Sequence, residues 1–117
     1  MYSVPADLDL SSTVGDFLTQ IAVGQFDLQF TLGGTRFMAM SLVTLHRGGD
    51  QVAAWTQGTW PEPSFYDLMN TSVVTCEVEN DRTITFQFEN GIEMRLIDDS
   101  DEFESIHIRN DEGLWVI

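Results

Sequence analysis

From Phe17 onward, apolar and polar residues alternate with a period of two, and that period commits most of the chain to half-buried strands rather than helices. Phe26, Leu28, Phe30 and Leu32 point one way, while Asp27, Gln29 and Thr31 point the other. Gly33-Gly34 then supplies a hairpin turn that accepts positive φ. The return arm runs from Arg36 to Leu45 and is apolar on much of both faces, which predicts a central strand covered on both sides.

His46-Arg47-Gly48-Gly49-Asp50 breaks the pattern, and a less regular strand from Gln51 to Trp60 ends at Pro61-Glu62-Pro63. Beyond it, Phe65, Leu68 and Met69 have the i, i+3, i+4 spacing of one apolar helical stripe, with Ser64 placed to cap it. The second half returns to strands. Val74, Cys76 and Val78 alternate with polar residues, Asn80-Asp81 turns the chain, and Ile84, Phe86 and Phe88 alternate in turn. Asn90-Gly91 is the strongest turn signal and leads to Ile92, Met94 and Leu96. After the acidic stretch Asp98-Asp99-Ser100-Asp101 come a strand over 102–109, a turn at Asn110-Asp111-Glu112-Gly113, and a final strand.

The predicted architecture is mainly β: antiparallel meanders forming a sandwich or partly open barrel, with one short helix in the crossover and α+β as the alternative. Its length of 117 residues suits one domain. Two stretches, 16–45 and 73–109, read as meander half-repeats, through either duplication or the common appearance of two meanders.

Charge restricts the partners. Nineteen Asp and Glu stand against five arginines and no lysine, a net charge of −14. From Cys76 to Glu112 alone there are twelve acidic residues and three arginines, a net −9. Such a surface repels phosphate backbones and anionic lipid, so direct nucleic-acid and membrane binding are disfavoured and a basic protein is the natural complement. No apolar stretch approaches bilayer length, and the N-terminal residues lack a basic region followed by an apolar core, so a cytoplasmic protein is expected. The single cysteine, Cys76, reads as core.

No catalytic residues, metal ligands or cofactors are assigned. His46 and His107 have the right pKa range for acid–base work, but neither lies in a catalytic motif. Asp98 to Glu102 fails as a calcium loop, with Phe103 where glycine is required and Arg109 where a bidentate carboxylate is required. Asp98, Asp99, Asp101 and Glu102 are instead the expected partner contacts, with Trp60 and Tyr66 as aromatic anchors. Glu104 shares the parity of Ile106 and Ile108, so it is expected to be a structural carboxylate paired with Arg36 or Arg95.

The run Phe86-Gln87-Phe88-Glu89-Asn90-Gly91, continued by Asp98-Asp99-Ser100-Asp101-Glu102-Phe103-Glu104-Ser105, resembles a pattern in small bacterial proteins of the immunity-protein type, encoded beside polymorphic or contact-dependent toxins. In them an acidic turn precedes a Tyr-Glu-Ser-Trp-like strand; here Phe103 replaces the tyrosine and Ile106 the tryptophan. Ile21 to Phe30 is similar to the opening hairpin of that family. The resemblance implies a non-enzymatic binder of the immunity type, expected to neutralise a cognate toxin; the acidic charge makes a basic nucleic-acid-cleaving domain the expected target. Two other functions compete: an acidic nucleic-acid mimic that inhibits a host DNA-binding or defence protein, and a small-ligand barrel using His46 or His107.

Overall fold

The computed structural model describes residues 4–5, 8–99, 105–111 and 113–117. Among these, ten strands follow in order: β1 (Leu18–Val23), β2 (Leu28–Leu32), β3 (Thr35–Ala39), β4 (Leu42–Arg47), β5 (Asp50–Trp55), β6 (Val73–Asn80), β7 (Thr83–Phe88), β8 (Ile92–Ile97), β9 (Ile106–Asn110) and β10 (Gly113–Val116). Two short 3-10 helices, η1 (Ser11–Thr13) and η2 (Pro63–Leu68), accompany them. The fold is a mainly β, antiparallel structure in which two five-stranded sheets, β1-β2-β3-β9-β10 and β5-β4-β8-β7-β6, pack as a sandwich and do not close into a barrel.

Each sheet is assembled from both halves of the chain. The meander β1-β2-β3 is extended by the hairpin β9-β10 through β3 and β9, and the meander β6-β7-β8 by the hairpin β4-β5 through β8 and β4. Neither half completes a sheet without the other, so the stable unit includes both.

Alternation drives the packing. Leu28, Phe30 and Leu32 of β2 meet Phe37 and Ala39 of β3 on the inner face, opposite Val43, Leu45, Ile84, Phe86, Met94 and Leu96 of the other sheet, and all are buried. Phe37 meets Phe86 edge to face, with ring centroids 4.8 Å apart and planes at 90°, the arrangement favoured by aromatic quadrupoles.

Four expectations need correction. First, Arg36 to Leu45 is not one central strand: at Met40-Ser41 the chain leaves the first sheet for the second, with the Met40 N–H donating to the Ser105 carbonyl and the Ser41 hydroxyl to the Ile97 carbonyl. Inward parity survives this corner, so Phe37 to Leu45 retains its period of two across two sheets. Second, the crossover helix is the 3-10 helix η2, and no α-helix occurs among the described residues, which removes the α+β alternative. Pro63 starts it after Glu62, in place of a Ser64 cap, and only Phe65 and Leu68 are fully buried. Third, the strand after Gln51 ends at Trp55. Fourth, a β-bulge between Val73 and Thr75 leaves Val74 exposed and puts Val73 inside. Cys76 is buried as expected.

Candidate functional site

Strand registers place several distant segments at one end of the sandwich. The β1–β2 turn, the β3–β4 corner, the loop after Trp55, the Asp81-Arg82 turn and the start of the acidic stretch at Asp98-Asp99 all lie there. Direct bonds tie them together. The Gly58 N–H donates to the Gln25 carbonyl at 3.0 Å, joining loops from different sheets, and the Asp98 N–H donates to the Arg82 carbonyl at 2.7 Å.

The loop carrying Trp60 is built to hold its place. The indole N–H of buried Trp55 donates to the Thr59 carbonyl at 2.9 Å, and the Thr59 hydroxyl donates to the Thr56 carbonyl at 2.7 Å. Gly58 has φ +80°, a conformation that L side chains rarely adopt. After Trp60, Pro61 is buried and a Glu62 carboxylate oxygen accepts from the Ala54 N–H at 2.7 Å. Between these fixed points the Trp60 side chain is 82% exposed. It borders a cleft of about 300 Å³ with Val23, Gly24, Gln25, Gly58 and Thr59. Phe26, in the adjoining turn, is 62% exposed.

Not all expected contact residues gather here. Asp99 is exposed at this end, whereas Asp98 is 3% exposed and faces inward, so its side chain is not a partner contact in this conformation. It is held there because its carboxylate accepts from the buried Ser105 hydroxyl and lies 3.8 Å from Arg82. Tyr66 is 55% exposed but sits on η2, where Asn90 of the opposite end donates to the Asp67 carbonyl. It therefore belongs to the flank. Asp101, Glu102 and Glu104 lie outside the described residues. Arg95 is paired with Glu93 at 2.7 Å, and Arg36 projects from the outer face of the first sheet. Alternation placed Phe26 inward with Leu28; the turn at Gly24–Asp27 removes it from the strand, and the signal for this was Gly24 itself.

A second cleft, of about 430 Å³, brings His46 beside Glu93, Arg95, Gln87, Phe88 and Ile92. Its groups are engaged locally: His46 Nε2 lies 2.9 Å from Thr44 Oγ1, and Glu93 accepts from the Arg95 guanidinium. His107 lies on the outer face of the other sheet, so the two histidines do not form an acid–base pair. The Cys76 thiol is pushed up to about 12, mainly by burial and then by the Glu77 charge, which makes it a poor nucleophile. No group of three His, Cys, Asp or Glu placed to hold a metal occurs among the described residues. No helix among them is long and apolar enough to cross a membrane.

Comparison with protein families, characterised proteins and solved structures finds no match for this chain.

Proposed function

We propose that this chain is a protein-binding inhibitor of the immunity type, which docks a basic toxin domain through the sandwich end that carries Trp60. The observation behind this reading is the exposed indole on a hydrogen-bonded loop, sharing a cleft with Val23 and lying at the same end of the sandwich as exposed Phe26. An apolar anchor on a loop whose backbone is already hydrogen-bonded loses less conformational entropy on association than one on an unbonded loop, a property that suits an interface hot spot. Exposed carboxylates at the same end, Asp81 and Asp99 among them, suit a cationic partner. A nucleic-acid-cleaving toxin has such a surface, because its substrate groove must attract phosphates.

The test is a tagged pull-down from the native bacterium at low and high salt, with Trp60→Ala and Asp99→Asn/Asp81→Asn variants alongside. The expected result is a basic protein that is lost with Trp60→Ala, is released by salt, and is inhibited in vitro by the purified wild type. Capture that is indifferent to both variants would overturn the assignment. Capture of a host DNA-binding protein in its place would favour the nucleic-acid mimic.

A further inference from the structure

The five arginines are not treated alike by the fold. Arg95 is paired with Glu93, Arg82 lies 3.8 Å from Asp98, and Arg47 stands opposite Asp50 in the β4–β5 register. Arg36 and Arg109 stand directly opposite each other on β3 and β9. Both are exposed, and neither side chain makes an ion pair or hydrogen bond among the described residues. Like charges at directly opposed positions destabilise a sheet. The chain has nineteen carboxylates, yet the next positions across this row are Thr31 on one side and Leu114 on the other.

These side chains are not scattered over a flat surface. Arg36, Arg109, Met38, His107 and Leu114 line one cleft of about 210 Å³ on the outer face of the first sheet. Two arginines that line one depression, beside a thioether and a leucine, offer charge-assisted donors to an oxyanion and apolar contact to whatever carries it. The negative charge of the whole molecule opposes anions at long range. At physiological ionic strength, however, exposed charges beyond roughly 8 Å are largely screened, and none of the described residues lining the cleft is a carboxylate.

We propose that the Arg36–Arg109 pair is a recognition site for the oxyanion of a small organic carboxylate or phosphate monoester, with Met38 and Leu114 covering its apolar body. The site is independent of toxin binding, since it takes a ligand of the opposite charge on a different surface.

The test is NMR titration of the arginine Nε–Hε signals of the whole chain with phenyl phosphate, hexanoate and inorganic phosphate. Sodium chloride at matched ionic strength is the control. Saturable shifts at Arg36 and Arg109 are expected, with affinity about tenfold or more weaker in Arg36→Gln and Arg109→Gln. Both side chains are exposed, so the variants should remain folded, which their amide spectra will show. A response to phenyl phosphate alone assigns the phosphate class, and a response to hexanoate alone assigns the carboxylate class. Inorganic phosphate binding as tightly as phenyl phosphate would remove Met38 and Leu114 from the site. Shifts that sodium chloride reproduces, or that survive both substitutions, would overturn the proposal.

Discussion

The hydroxyl of Ser105 donates to a carboxylate oxygen of Asp98 at 2.7 Å, and both residues are buried. This bond ties the residue after β8 to the residue before β9. Its weight should appear as stability. A hydrogen bond to a charged group is worth about 1.5–3 kcal/mol. Asp98→Ala and Ser105→Ala should therefore each cost about 2 kcal/mol in urea denaturation. Arg82 is half-exposed and solvent-screened, so Arg82→Ala should cost under about 1 kcal/mol. Equal midpoints for Asp98→Ala and Asp99→Ala would show that the buried bond carries no weight.

Two tryptophans five positions apart should behave in opposite ways. Trp55 is fully buried and its indole N–H holds the Thr59 carbonyl, whereas Trp60 points into solvent. Trp55→Ala should cost about 3–5 kcal/mol and loosen the loop that presents Trp60. Trp60→Ala should stay within about 0.5 kcal/mol of wild type while weakening partner affinity tenfold or more. Thermal melts of the two variants decide the first part, and binding measured by titration calorimetry decides the second.

The strands were legible because period two survives most local irregularity. Gly33-Gly34 and Asn90-Gly91 are turns, as their dipeptides require, and Gly33 and Gly91 have positive φ. Parity also hid the change of sheet at Met40-Ser41, since a corner that preserves inward phase leaves no mark in the pattern. One extra residue at the bulge beside Val74 reversed the expected orientation there. At the candidate site, Trp60 and Asp99 were legible as residue types, but their common location depends on strand order, a property of long-range pairing. Asp98 was misplaced because a run of carboxylates looks uniformly solvated. Its burial depends on Ser105 and Arg82, which alternation does not connect to it.

Stability should decline in alkali through Cys76. Its thiol ordinarily ionises near 9.0 and in the folded chain is pushed up to about 12, because burial and the Glu77 charge oppose the thiolate. Between these values the unfolded chain releases a proton that the folded chain keeps, so unfolding becomes more favourable as pH rises. The contribution is fully present below pH 9 and is lost progressively towards 12. Chemical denaturation at pH 8 and pH 10.5 should show a larger loss in wild type than in Cys76→Ala, and equal losses would rule out this residue as the source. The native thiol should also resist alkylation until denaturant is added.

The β1–β2 turn offers a test in which two substitutions should not add. A Cβ on Gly24 would overlap the Asp27 carboxylate, which accepts from the Gln29 side-chain amide at 2.8 Å, while the Gly24 N–H donates to the Asp27 carbonyl at 2.9 Å. Gly24 does not have a positive φ, so alanine meets only this steric conflict. Gly24→Ala should therefore act by displacing the Asp27 carboxylate and breaking its bond to Gln29, at a cost of about 1 kcal/mol. Asp27→Ala should cost a similar amount by removing the same bond. With the carboxylate gone, alanine at position 24 has room, and the double variant should be no less stable than Asp27→Ala alone. A coupling energy of about 1 kcal/mol in the double-mutant cycle is the expected signature, and strict additivity would place the cost of Gly24→Ala elsewhere. The turn also carries Phe26 and the Gln25 carbonyl that receives the Gly58 N–H. The same pair of variants consequently reports whether the geometry of this turn controls partner affinity: if it does, Gly24→Ala weakens binding and the double variant restores it towards the level of Asp27→Ala.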